Sequence, residues 1–306
     1  MHRFHSIDKN SKSVRKFSVR FFCGLLFSCV MSQLAAQDTD LGLVTAKDLP
    51  RRTLTAAPVA LWDEARHITR SVLYGVGYTN LYDTYLSPLE YQGLELRISR
   101  EAGRTVRRNP LLSTQSCFNG HLGFGTSPAG NNRMVSGMVN WTYAIHYRFQ
   151  PAANFKILTG GAIDLNGGFF YNLRNGNNPA SARVFANLDA SVMGIWNFKI
   201  RRYPMQLRYQ AQLPVVGARF SPHYGQSYYE LFMLGNRSGM IRCTSLHNAF
   251  SLRQRLTLDF PVRRSTLRVS YVADLDQSHL NNLRTHSYSH CVLIGFVRDL
   301  YKLPTL

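Results

Sequence analysis

Val135-Ser136-Gly137-Met138-Val139-Asn140-Trp141-Thr142-Tyr143-Ala144-Ile145-His146-Tyr147-Arg148-Phe149 is the stretch that decides the fold. Every second residue from Val135 is apolar or aromatic apart from Gly137, and those between are mostly polar or small. Only a strand sends successive side chains to opposite faces, so this segment has one oily side and one wet side. It is also long: a globular strand usually has about 5–6 residues, whereas a tilted membrane-crossing strand needs about 9–11. Its aromatics gather toward one end of the oily face, as in an interfacial girdle.

The pattern recurs nine more times, over Ile68–Tyr78, Gln92–Ser99, Cys117–Phe124, Phe155–Leu165, Arg183–Ile200, Met205–Leu213, Leu246–Leu258, Leu267–Leu275 and Tyr288–Phe296. Ten such strands, an even number, predict an all-β fold: an antiparallel up-and-down transmembrane β-barrel. Its connections alternate. Residues 150–153, 201–204 and 261–264 are tight; residues 172–181, 217–240 and 276–284 are long, as periplasmic turns and extracellular loops would be. The stretch 102–113 departs from this rule by being long where a turn is expected. Arginine pairs at Arg51-Arg52, Arg107-Arg108, Arg201-Arg202 and Arg263-Arg264 fall on the turn side, where they are expected to meet lipid phosphates at the membrane rim.

The chain has 306 residues, 45% hydrophobic, with 36 Lys and Arg against 17 Asp and Glu. Its N-terminus reads as an export signal over residues 1–36: basic to Arg20, apolar from Phe21 to Met31, and small at Ala35 and Ala36. A lipoprotein signal acylated at Cys29 is the alternative. Residues 37–65 read as a periplasmic lead with a short helix near Leu61 to Arg66, and 66–306 as the barrel. No later run is long and apolar enough for a helical span. Export argues against nucleic acid as the partner of so basic a chain and leaves outer-membrane lipids; protein partners are unspecified. Cys117, Cys243 and Cys291, odd in number and widely spaced, form neither a disulfide framework nor a metal motif.

On the wet faces Glu95, Arg97, His121, His146, Arg148, Asp164, Asp189, Arg208, Arg253, Arg255, Arg268 and Asp274 form a candidate polar network in the lumen. A barrel of about eight strands is filled by side chains and one of ten is only slightly wider, so these groups must pair or stay hydrated. A salt-bridge plug is the expected reading, a narrow polar pore the alternative. No G-x-S-x-G elbow, H-E-x-x-H or Cys/His cluster is present, so no catalytic residue, metal or cofactor is assigned. His121, His146 and Asp164 would be the set to test for an outer-membrane barrel enzyme acting on lipid or peptide. A soluble periplasmic barrel with its oily face turned inward around a ligand is the remaining alternative.

Between the first two strands lies Asp83-Thr84-Tyr85-Leu86-Ser87-Pro88-Leu89-Glu90-Tyr91-Gln92-Gly93, expected to fold over the barrel mouth as a lid or to pack as a tyrosine-anchored turn. With the strand before it and the exported, barrel-like remainder, this run resembles an uncharacterised Bacteroidetes family of unknown function. The resemblance spans the layout from Leu73 to Phe296. It implies an outer-membrane setting and supplies no activity.

Overall fold

The structure is a computed structural model. It describes residues 66–302 apart from 107, 177, 202, 236–237 and 263–264, with side chains from Thr69 to Arg298. The export signal, Cys29, the lead, and Arg51, Arg52, Arg107, Arg202, Arg263 and Arg264 lie outside the described residues, as does the expected helix up to Arg66, which instead opens the first strand.

Eleven strands follow in order: β1 (Arg66–Asp83), β2 (Ser87–Val106), β3 (Asn109–Thr126), β4 (Arg133–Ala152), β5 (Phe155–Asn172), β6 (Ala180–Ile200), β7 (Tyr203–Phe220), β8 (Ile241–Ser245), β9 (Ser251–Val262), β10 (Ser265–Leu280) and β11 (Leu283–Lys302), with a short helix α1 (Tyr228–Phe232) before β8. Each pairs antiparallel with its neighbours, β1 closes onto β11, and β6 onto β7. The wall is ten strands around, because β8 and β9 are one strand in two pieces. β8 pairs with the upper end of β7 and β9 with its lower part. Residues 246–250 bow away from β7 but still bond β10, through Gln277 N to Phe250 O (3.0 Å) and His279 N to Asn248 O (2.8 Å).

The register fixes the barrel's width. From Val76 it passes through Leu96, Leu122, Gly137 and Phe169 to Ala182 on β6. The other way round it passes through Val292, Tyr271, Leu256 and Tyr209 to Gly194, twelve residues along the same strand. With strands ~4.8 Å apart, that stagger gives a tilt of about 40° and a backbone radius of about 10 Å. Side chains reaching in from opposite walls meet.

The oily face points out. On β4, Trp141, Tyr143 and Ile145 are 41%, 38% and 51% exposed, while Asn140, Thr142, Ala144 and His146 are buried and Arg148 is half-buried. Tyr74, Val76, Leu94, Leu96, Phe118, Leu122, Ile163, Leu165, Val184, Leu188, Val292 and Ile294 continue the exposed apolar wall around the barrel. Such a surface is far larger than a soluble monomer exposes and matches a lipid-facing belt. The inward-oily soluble barrel is therefore excluded.

Four boundaries differ from the sequence reading. The connection in 102–113 is a tight turn, because β2 runs to Val106 and β3 starts at Asn109. Residues 276–284 are also tight, the turn being Asn281-Asn282 with φ of 50° and 63°. Asparagine tolerates that left-handed conformation, which a two-residue hairpin of the primed type requires. Finally, Leu246–Leu258 is interrupted rather than continuous, and β11 continues past Phe296. The two tight turns and the length of β11 share a cause: strands of 16–21 residues extend beyond the hydrocarbon. There the ladder continues without an apolar face to mark it.

Candidate functional site

The lumen and its mouth hold the candidate site. Alternation places Glu95, Arg97, Ser99 and Glu101 in a row on the inner face of β2, and every wall strand adds inward polar residues to it. They gather into three clusters that bridge the lumen.

The first cluster, toward the strand ends that carry the termini, centres on Glu101. Its two oxygens accept from Nη1 and Nη2 of Arg208 at 2.5 and 2.6 Å, and from Arg268 Nη1 at 3.1 Å; Gln115 Nε2 donates at 2.8 Å, and Arg255 stands 3.6 Å away. Arg268 also grips Asp259 with two bonds of 2.7 and 2.6 Å. In the second, Arg97 donates to Glu95 (2.8 Å), Asp274 (2.5 Å) and Ser289 (3.0 Å), while Arg253 links Asp274 (3.2 Å) to Asp164 (3.1 Å). Asn119, Asn140 and Asn166 form an amide ladder beside it, ending on both oxygens of Asp164. In the third, Asp276 takes bonds from Arg183 (2.8 Å) and Arg219 (2.6 and 3.2 Å), with the two guanidiniums over the rings of Phe170 and Phe185. Carboxylates and guanidiniums nearly balance, as enclosed charges must. A cavity among Cys117, Thr142, Gln212 and Arg253 is about 10 Å³, room for about one water.

The mouth is closed by the run singled out above, which is lid and anchored turn together. The turn at 84–86 is held by Asp83, whose Oδ1 accepts from Tyr85 N (3.0 Å) and whose carbonyl accepts from Leu86 N (3.0 Å). That puts Leu86 into a buried cluster with Leu81, Tyr91, Met134 and Phe170. Tyr91 is wholly buried; its hydroxyl donates to Ser87 Oγ (3.1 Å) and accepts from the amides of Asn132 (2.8 Å) and Asn172 (3.1 Å). Gly125 lets the two strands approach here: a Cβ there would stand 2.8 Å from Tyr91 Cβ and 3.0 Å from its carbonyl carbon. Tyr85 reaches the far rim, donating to Gln226 O (3.0 Å) and packing edge-on against Tyr228 of α1.

The residues expected in the lumen from sequence all point inward, with different surroundings. Glu95, Arg97, Asp164, Arg208, Arg253, Arg255, Arg268 and Asp274 sit in the clusters just described. His146 bonds Ser191 Oγ at 2.9 Å. Asp189 is buried with one oxygen unpartnered among the described residues. Arg148 is half-buried in β4 opposite Leu158. His121 and His146 do not form one site: His121 pairs in register with Met138, and His146 is eight residues further along β4, roughly 27 Å. Of the turn arginines, Arg108 and Arg201 are exposed. Glu101, Asp259, Asp276, Arg183, Arg219 and Asp83 escaped the sequence reading of the network. The signal that finds them is the two-residue inward period, which runs on past the end of the apolar face.

Comparison with known proteins gives a family but no activity. The profile of a family described as a protein of unknown function matches residues 23–305, and no curated protein matches the chain. Among solved structures, the outer membrane protease OmpT from Escherichia coli is 7% identical with a TM-score of 0.38, over 78% of this chain and 97% of that one. The transport unit of the autotransporter AIDA-I from the same organism gives 7% and 0.40, over 80% and 94%. The β domain of the Bordetella autotransporter BrkA gives 8% and 0.37, over 77% and 100%. Likeness at this level says nothing of what this chain does.

Proposed function

The chain belongs to the family described as Protein of unknown function (DUF3316), and from that premise we propose that it is a sealed outer-membrane barrel: a non-conducting scaffold that holds its loops at the cell surface. The apolar outer wall and the export signal read at residues 1–36 support the membrane. One observation carries the sealed reading. Arg208 and Glu101, 107 residues apart in sequence, meet across the interior in a doubly bonded buried pair, between strands that are not neighbours in the wall. Solute passage would have to break that pair and those stacked above it. Breaking one buried pair costs about 3–5 kcal/mol, so an open state is rare.

Loop-mediated binding has an observation of its own. Loop 221–240 carries α1 and exposes Tyr224, Tyr229, Phe232, Met233 and Leu234, while its inner side is tied down through buried Leu231 and through Tyr228 Oη, which accepts from Ala182 N at 2.6 Å. A fastened loop with aromatic and aliphatic side chains outward is suited to contact lipid or protein.

Purified protein inserted into planar bilayers tests the sealed reading. The expected record is flat, with no unitary steps above the lipid baseline. Reproducible steps from the unaltered protein would refute it.

A further inference from the structure

Four arginines crowd the outer wall where β11, β1 and β2 adjoin. Arg70 stands directly opposite Arg298 in the β1–β11 register. On its other side it faces Ala102, so Arg100 and Arg104, two residues to either side of Ala102, are its diagonal neighbours. All four are exposed and share the outward face with Val72, Ile98 and Phe296. Directly opposed like charges destabilise a sheet, and diagonal neighbours at about 7–8 Å remain within reach of long side chains. The arginines of the three lumenal clusters are met by carboxylates. Among the described residues these four have no hydrogen bond or ion pair.

Their position says what would neutralise them. Val72 pairs with both Phe296 and Arg100, and Arg100 pairs with Phe118, so the cluster begins at the lower edge of the apolar belt. It lies toward the strand ends that bear the termini. Arginine stems can lie along such an edge with the guanidiniums at headgroup depth. The planar fork of each matches phosphate oxygens in pairs.

Resting on the membrane reading above, we propose that this patch of β11, β1 and β2 binds the phosphate headgroup of an anionic phospholipid from the periplasmic leaflet. The adjoining apolar wall receives its acyl chains. That adjacency favours a lipid over free phosphate or an acidic protein segment, neither of which uses the oily half of the site.

The test is native mass spectrometry of the full protein in dodecylmaltoside, titrated with dioleoylphosphatidylglycerol or dioleoylphosphatidylcholine. The unaltered protein should retain the anionic lipid about tenfold more strongly, and the double variant Arg70→Gln/Arg298→Gln should lose that preference. Arg108→Gln, in the nearby turn, should keep it. Equal retention of the two lipids by the unaltered protein, or an undiminished preference in the double variant, overturns the proposal. So does displacement of the lipid by inorganic phosphate alone. Should the double variant not fold, salt dependence of the unaltered protein decides: the preference must fall as ionic strength rises, and a salt-independent preference counts against the site. Heat-modifiable mobility on gels separates the two levels of argument. A heat-modifiable barrel without lipid preference refutes only this site, whereas a protein soluble without detergent refutes the membrane reading beneath it.

Discussion

Glu101→Gln is expected to lower the unfolding free energy of the barrel by about 3–5 kcal/mol. Glutamine keeps the shape but not the charge, and three arginines share this carboxylate. Arg268 keeps Asp259 as a partner and Arg255 keeps Asn119 and Ser99. Arg208 has no other carboxylate within ion-pair distance among the described residues. Most of the penalty is therefore the cost of leaving Arg208 buried and uncompensated. Replacing Arg208 by methionine in the Glu101→Gln background should recover part of it, because an apolar side chain of similar length removes the stranded charge. Denaturant unfolding in micelles reads both effects. A loss under about 1 kcal/mol for Glu101→Gln would mean that water reaches the pair.

Tyr91→Ala is expected to cost a similar amount, about 3–5 kcal/mol, for a different reason. The ring is wholly enclosed by Leu81, Leu86, Met134 and Phe170, and the cluster cannot close over a hole of that size because strands on every side hold it open. Tyr91→Phe separates packing from hydrogen bonding. It keeps the ring but leaves the amides of Asn132 and Asn172 without their shared acceptor, so it should cost about 1–3 kcal/mol. Equal losses for the two variants, measured by the same unfolding assay, would show that the hydroxyl rather than the ring secures the mouth.

Much of this architecture is legible in the sequence because one physical constraint, oil outside and polar groups inside, writes a period of two along each strand. The lumenal residues on β2, β4, β9 and β10 follow directly from it. What the sequence hid lies where that constraint lapses. Glu101 and Asp259 sit just past the strand ends read at Ser99 and Leu258, and Asp276 falls in a stretch with little oily face that reads as loop. The break between β8 and β9 is invisible because Leu246 and Phe250 continue the apolar count across residues that leave β7. Partnership was not legible at all. That Arg208 meets Glu101, or that Tyr91 meets Asn132 and Asn172, depends on which strands face each other across the lumen, and only the closed register supplies that.

The wall turns its oily face to the bilayer, and Trp141 reports on that orientation most directly. In a chain with Trp62 and Trp196 replaced by phenylalanine, refolded into vesicles, lipids brominated on their acyl chains should quench the remaining indole strongly, while aqueous acrylamide should leave it nearly untouched. Quenching by acrylamide, or an indole insensitive to both, would mean that the aromatic face of β4 does not meet the bilayer.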